Sequence, residues 1–167
     1  FAYDLQTGTT QLVSHSLTST TQAVNSAGSI SAAVSTDGKW VAFWSYASNI
    51  VPNENSGNYD VFFWNATTGA ISLASPRQGP PGITPASASY QQQTSDDGRF
   101  VTFVTVARNI VAGQIDNDDI SDIVLYDRQT ATTTLVSHAS SSATAAANGS
   151  STVPVISGDG RYVAYCS

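Results

Sequence analysis

Ser35-Thr36-Asp37-Gly38-Lys39-Trp40-Val41-Ala42-Phe43 occurs in this chain in three related versions, which begin at Ser35, Ser95 and Ser157. The spacings between the versions are therefore 60 and 62 residues. A repeat of this length is typical of proteins built from stacked units, each of which buries its apolar faces only against its neighbours. The stretch thus predicts an architecture, and it says little about a ligand.

Each unit is predicted to contain four short β-strands. An Asp-Gly pair between apolar runs is a strong hairpin signal, so the quoted stretch forms the turn between a first and a second strand. A polar loop leads to the third strand, and a second turn with a Thr-Gly or Thr-Ala pair leads to the fourth. The third and fourth strands fall within residues 1–13, 60–74 and 122–136.

These strand positions divide the chain into two full units and two half-units of one propeller-type domain. The first full unit is residues 29–76 and the second is residues 88–138. The N-terminal half-unit, residues 1–15, supplies strands three and four, and the C-terminal half-unit, residues 151–167, supplies strands one and two. The polar segments between them lack apolar periodicity and are predicted to be surface loops.

The second strand of each unit indicates how the units pack. Trp40-Val41-Ala42-Phe43-Trp44 is apolar at every position, whereas a strand with one wet face alternates apolar and polar residues. Burial on both faces is expected when four-stranded sheets stack blade against blade, as in a β-propeller. The predicted fold is therefore all-β, with antiparallel four-stranded blades of about 61 residues. A β-sandwich is the alternative, but it does not explain why separate phrases repeat in one register.

The turn and the strand after it resemble the WD40-like (PD40) propeller repeats related to those of TolB, in which Ser-Pro-Asp-Gly-Arg precedes an apolar strand. At the Pro position this chain has Thr36, Asp96 or Gly158. The longer form with Asn-Ile-Val, an acidic loop and Tyr126-Asp127-Arg128-Gln129-Thr130 is similar to one found in secreted bacterial proteins. The resemblance implies a propeller at an extracellular or cell-surface location, with a periplasmic location as the alternative. It implies no particular activity, because propellers have many functions.

The two half-units are complementary, and two interpretations of this remain open. In one, the chain is part of a longer protein whose other segments complete its blades. In the other, strands one and two of one copy complete strands three and four of the next copy. Such a head-to-tail contact either closes into a ring or continues as a filament.

Composition excludes several classes of partner. The net charge is −6 and only 11% of the residues are charged, so the basic surface that nucleic acid requires is absent. No apolar run approaches the roughly 18 residues of a membrane span. The single cysteine, Cys166, aligns with Trp44 and Val104 on the second strand, and we expect it to be buried.

An acidic loop in the second full unit is the best candidate for chemistry. Calcium takes six to eight oxygen ligands, which loops supply as alternate carboxylates and a backbone carbonyl. The predicted calcium ligands here are Asp116, Asp118, the carbonyl of Ile120, and Asp122. The alternative is that these side chains only satisfy backbone groups of the loop.

The matching loop in the first full unit keeps Glu54 and Asp60 but has Ser56 between them. Its lower charge predicts weaker calcium binding. Calcium is the only cofactor that the sequence suggests.

No residue is predicted to be catalytic. His15 and His138 occupy equivalent positions in the repeat, which favours a structural role. Asp37 and its equivalents precede the turn glycine and are expected to accept backbone N–H bonds. No hydrolase, metalloprotease, phosphate-binding or Cys-x-x-Cys motif occurs in the sequence.

The expected function is therefore a non-enzymatic, structural or adhesive module of a secreted protein, assembling with copies of itself. One alternative is a partner-binding or accessory propeller of a larger periplasmic protein or hydrolase. Another is a glycan-binding propeller that stacks sugars on Tyr46, Tyr59 and Tyr90.

Overall fold

The computed structural model describes residues 1–26, 29–52, 57–78 and 88–167. Every regular element within these ranges is a β-strand. In chain order the strands are β1 (Ala2–Asp4), β2 (Thr9–Gln11), β3 (His15–Ser16), β4 (Ser19–Ala23), β5 (Ser29–Val34), β6 (Trp40–Ser45), β7 (Asp60–Asn65), β8 (Ile71–Leu73), β9 (Ser89–Thr94), β10 (Phe100–Thr105), β11 (Asp122–Asp127), β12 (Thr132–Leu135), β13 (Thr152–Ile156) and β14 (Val163–Cys166).

The strands form two four-stranded sheets and three two-stranded sheets. The first full unit contains the order β5-β6-β7-β8, and the second contains β9-β10-β11-β12. All strand pairs in these sheets are antiparallel. The all-β class and the four-stranded sheets are thereby confirmed, while the division of the whole chain into blades stays a prediction.

The repeated turn owes its shape to two side chains. Ser35 Oγ accepts the N–H of Trp40 at 3.0 Å and donates to Asp37 Oδ1 at 2.7 Å. Asp37 Oδ1 also accepts the N–H of Lys39 at 3.0 Å, and these hydrogen bonds hold the pKa of its carboxyl below the ordinary value. Gly38 follows at φ +69°, a conformation that favours glycine. The other two copies repeat this network, so the expected structural role of the turn aspartates is confirmed.

The core consists of two apolar layers, one on each side of the first full sheet. Val41 and Phe43 of β6 pack in one layer, together with Val13 from the N-terminal half-unit. Ala42, between them in sequence, belongs to the other layer, which also contains Phe103 of the second full unit. The prediction that the second strand is buried on both faces is confirmed for β6 and β10.

Each first strand carries a β-bulge that the sequence did not predict. Ser31, Gln91 and Val153 lie at equivalent positions of β5, β9 and β13, with φ of 56°, 55° and 54°. A non-glycine residue in this left-handed region costs roughly 1–2 kcal/mol. The bulge brings the Ser31 carbonyl to the side-chain amide of Gln92, which donates to it at 3.2 Å and to the Ala42 carbonyl at 3.1 Å. These two bonds join the second full unit to the first.

The segment after β2 differs from the prediction of a surface loop. β3 and β4 pair as a small hairpin, with His15 opposite Ala23. An isolated bridge between His138 and Ala146 repeats this pairing after β12. Most side chains of β4 are exposed, so its backbone pairs without the apolar alternation that reveals a strand in sequence.

Cys166 is exposed, so the expectation that it is buried was wrong. β14 has one neighbour in its sheet, β13, whereas β6 and β10 each have two. Because no third strand of the described ranges lies beside it, the side chains of β14 are largely exposed.

Candidate functional site

The contacts between successive units repeat along the chain. The N–H of Thr36 donates to the carbonyl of Asp96 at 2.9 Å, and the N–H of Asp96 donates to the carbonyl of Gly158 at 2.8 Å. These residues occupy the Pro position of the related repeats, and proline has no N–H to donate. The departure from proline therefore permits a row of turn-to-turn hydrogen bonds. In the described residues no further turn accepts the N–H of Gly158, and none donates to the carbonyl of Thr36.

An aromatic residue and a glycine form a second contact at each of these joints. Trp40 covers Gly98 and Phe100 covers Gly160, so closely that a Cβ on either glycine would collide with the ring. The equivalent glycine of the first turn, Gly38, has open space around its Cβ position. The equivalent aromatic of the last turn, Tyr162, is 61% exposed. One end of the series thus presents the ring and the other presents the glycine.

A third contact holds strands two and three together inside the second full unit. Arg99 donates to both carboxylate oxygens of Asp127 at 2.7–3.2 Å, which lowers the pKa of that carboxyl. In the same register Phe100 lies opposite Asp127, and Val101 lies opposite Tyr126. The equivalents of Arg99 and Asp127 are Arg161, beside the open edge of β14, and Asp4, on the open edge of β1.

The acidic loop of the second full unit is partly satisfied by its own backbone. Asp116 Oδ1 accepts the N–H of Asp118 at 3.2 Å, and Asp118 Oδ1 accepts the N–H of Ile120 at 3.3 Å. Arg108 donates to the carbonyl of Asp118 at 2.8 Å and forms an ion pair with Asp119, also at 2.8 Å. Backbone satisfaction, the alternative to calcium, therefore accounts for part of this loop.

Asp122 lies at the base of the loop and is 1% exposed. Its Oδ1 accepts the hydroxyl of Ser137 at 2.7 Å, and the same hydroxyl accepts the N–H of Ile123 at 2.9 Å. Its Oδ2 is buried and has no hydrogen-bond partner in the described part of the chain. Burial, with a smaller contribution from the charges of Asp116 and Asp118, raises the pKa of Asp122 to about 6, although the Ser137 hydrogen bond acts in the opposite direction.

The first full unit has the same carboxylate and hydroxyl in the same positions. Ser75 Oγ donates to Asp60 Oδ1 at 2.8 Å and accepts the N–H of Val61 at 3.1 Å. Here the guanidinium of Arg77 approaches Asp60 Oδ2 at 3.8 Å. Two other predicted calcium ligands of this unit, Glu54 and Ser56, lie outside the described residues.

The structure places Asp116, Asp118, Ile120 and Asp122 in one loop, and charge interactions link the three carboxylates. Nowhere in the described ranges are three His, Cys, Asp or Glu side chains arranged to hold a metal ion. Calcium binding by these residues therefore stays a prediction.

The tyrosines considered for glycan stacking gather around Trp44. The Tyr59 ring lies edge-on to Trp44 with the ring centroids 4.6 Å apart, and the centroid of Tyr90 lies 6.3 Å from that of Trp44. Tyr46 packs on Tyr59 at 5.4 Å and is 46% exposed. The three rings are thus brought together, and at least Tyr59 has a packing role.

The two histidines have structural contacts. The ring nitrogens of His15 lie 3.0 and 2.8 Å from the carbonyl oxygens of Ser16 and Gly69, and the residue is buried. His138 is exposed, with Nδ1 2.9 Å from the carbonyl oxygen of Ala139. Among the residues described, there is no helix with the length and hydrophobicity needed to span a membrane.

The chain is similar to parts of two solved propeller proteins. It matches the tricorn protease with a TM-score of 0.55 and 14% identity, over 98% of this chain and 12% of that one. It matches TolB from Acinetobacter baumannii with a TM-score of 0.47 and 16% identity, over 98% of this chain and 30% of that one. No protein-family model and no curated protein matches the sequence. At such identities the tricorn likeness supports the β-propeller fold and nothing finer.

Proposed function

We propose that this chain is a non-enzymatic structural module of a secreted or cell-surface protein, and that its copies join head to tail. The observation that carries the proposal concerns the two outer surfaces of the chain. Each surface presents one side of the contacts that join successive units within the chain. The C-terminal half-unit presents a turn N–H, an aromatic ring and an arginine. The N-terminal half-unit and the first turn present a carbonyl, an uncovered glycine and an aspartate.

The internal joints specify how two copies would meet. By repeat equivalence, the N–H of Gly158 donates to the carbonyl of Thr36 in the next copy, and Tyr162 covers Gly38 of that copy. The open edge of β14 pairs with the open edge of β1, so that Val163 lies opposite Tyr3 as Val101 lies opposite Tyr126.

The exposed apolar side chains support the same surfaces. Phe1, Tyr3 and Leu5 are 86%, 62% and 89% exposed around β1, and Tyr162 and Tyr165 are 61% and 37% exposed around β14. Large exposed apolar side chains that cluster mark interaction sites. The two surfaces differ from each other, so each binds the opposite surface of another copy, which produces a ring or a filament.

Charge reversal at the predicted pair of Arg161 and Asp4 tests this assembly. Arg161→Asp alone places two aspartates together at the joint, and Asp4→Arg alone places two arginines together, so each variant is expected to sediment as a monomer. A mixture of the two variants restores opposite charges at every joint and is expected to assemble again. Sedimentation velocity measures the three samples.

Arg108→Asp is the matched control. Arg108 lies in the second full unit, outside the surfaces assigned to the joint, and its partners are the carbonyl of Asp118 and the exposed carboxylate of Asp119. This variant changes the net charge equally and is expected to assemble like the wild type. A wild type that is monomeric at every concentration would exclude the proposal and favour the alternative of an accessory propeller.

A further inference from the structure

Both full units bury a carboxylate at the start of their third strand, and the structure shows what this position requires. Asp60 and Asp122 are 3% and 1% exposed, and each carboxylate accepts one bond from a serine hydroxyl through Oδ1. A buried carboxylate is costly unless a cation or several hydrogen bonds compensate its charge. The two units are therefore compared by the group that lies near the second oxygen, Oδ2, of each carboxylate.

In the first full unit the chain supplies a cation itself. Arg77, two residues after Ser75, lies 3.8 Å from Asp60 Oδ2, and its side chain is 24% exposed. The residue two positions after Ser137 in the second full unit is Ala139, which carries no charge. At the same position in the repeat, Asp122 Oδ2 is buried and has no hydrogen-bond partner in the described residues.

The negative charges near Asp122 increase the free-energy cost of burying its carboxylate with no partner at Oδ2 among the described residues. Asp116 and Asp118 both act on it with negative charge. Arg108, whose side chain reaches this loop, is bound to Asp119 and to the carbonyl of Asp118. Its charge acts on Asp116 but is not among the influences on Asp122.

We infer that the loop of residues 116–122 binds a calcium ion, which takes the place at Asp122 Oδ2 that the Arg77 guanidinium takes at Asp60 Oδ2. Its protein ligands are Asp116, Asp118, Asp122 and the carbonyl of Ile120. Hard oxygen donors of this kind favour calcium over softer metals, and water completes the six to eight positions.

Binding requires Asp116 and Asp118 to rotate toward Asp122, since the three carboxylates do not surround one point in this structure. The bonds that the two carboxylates accept are long ones, from Asp118 N–H at 3.2 Å, the Gln114 side-chain amide at 3.3 Å and Ile120 N–H at 3.3 Å. Typical N–H···O bonds are about 2.9–3.0 Å long, so the loss of these longer bonds costs little. The site is independent of the proposed assembly, because it lies inside the second full unit.

Calorimetric titration of the chain with CaCl2 tests the inference. We expect a dissociation constant on the order of 10⁻⁴ to 10⁻³ M, as in extracellular calcium modules, and a Tm raised by calcium and lowered again by EDTA. Asp118→Asn is expected to weaken binding at least tenfold, because it removes a charged ligand from a partly exposed position. Ala139→Arg supplies the missing guanidinium and is expected to abolish the effect of calcium on Tm.

Asp119→Asn is the matched control, because it removes the same charge from the same loop outside the ligand set. Its carboxylate is bound to Arg108 and is 84% exposed, so calcium affinity is expected to stay within about twofold of the wild type. Absence of both calcium heat and a Tm shift in the wild type would overturn the inference. Full calcium affinity in Asp118→Asn would overturn it as well, because the ion would then bind elsewhere.

Discussion

Asp60 and Asp122 occupy the same place in two copies of one repeat, and each accepts a hydrogen bond from a serine that follows the neighbouring fourth strand. The first faces Arg77, whereas the second faces the charges of Asp116 and Asp118. The third strand pairs with its neighbours in the same register in both units, and the described side chains that face the buried carboxylate differ. Comparison of equivalent positions in a repeat thus identifies groups, such as Asp122 Oδ2, without the partner that the described residues supply at the equivalent position.

The same comparison applies to the outer surfaces. Trp40 and Phe100 each cover a glycine of the next unit, whereas Tyr162, the equivalent ring, covers no glycine of the described residues. At Asp122 the inferred missing partner is a cation, and at Tyr162 the proposed one is another copy of the chain.

The largest effect is expected at Asp122, from pH. Its pKa is about 6 in the folded chain and near 3.8 when unfolded, so the folded state binds more protons between these values. The carboxyl therefore destabilises the fold as pH rises from 4 to 7, by about 2–3 kcal/mol. Urea unfolding in EDTA measures the free energy of unfolding against pH for the wild type and for Asp122→Asn. Subtracting one curve from the other cancels the contributions of the other carboxylates. An equal pH dependence in both proteins would show that folding does not raise the pKa of Asp122.

Arg77→Ala makes the first full unit resemble the second. It leaves Asp60 buried without its guanidinium, and we expect the free energy of unfolding to fall by about 2 kcal/mol at pH 7. Chemical denaturation measures the change, and Arg108→Ala serves as the control because Arg108 binds an exposed partner. A loss for Arg77→Ala no larger than for the control would contradict the role assigned to Arg77.

A smaller effect is expected at the second turn of each full unit. Gly69 has φ +71°, and its equivalent in the second unit is Ala131 at φ +53°. Because alanine is strained there, Ala131→Gly is expected to stabilise the chain by up to about 1 kcal/mol, and Gly69→Ala to destabilise it by about 1 kcal/mol. Thermal unfolding measures both changes as shifts in Tm. Shifts of the same sign would contradict the claim that the two turns are equivalent.

The sequence predicted most of the strands because turn chemistry and apolar runs are local signals. The Ser35–Asp37 network and the double burial of β6 follow from nine residues that recur. The bulges at Ser31, Gln91 and Val153 left no signal, because their side chains share neither size nor polarity. The β3–β4 hairpin was missed because most of β4 is exposed and polar.

The candidate site was predictable only in part. Spacing identified Asp116, Asp118 and Asp122, but it did not reveal that Asp122 is buried while the others lie nearer the surface. Ser75 and Ser137 recur at one repeat position, and Arg77 against Ala139 is the difference that distinguishes the units. That signal was present in the sequence, but it acquires meaning only once the fold places it beside the carboxylate.

A thiol pair across the proposed joint tests most directly whether copies complete one another. Val163→Cys and Tyr3→Cys are introduced together in a Cys166→Ser background, and the pairing of β14 with β1 places the two thiols opposite each other. Mild oxidation is expected to give a ladder of covalent multimers on a non-reducing gel. Val34→Cys in place of Val163→Cys, also at an exposed strand residue, is expected to give none. Monomers alone from the Val163 pair, or an equal ladder from the Val34 pair, would contradict the account.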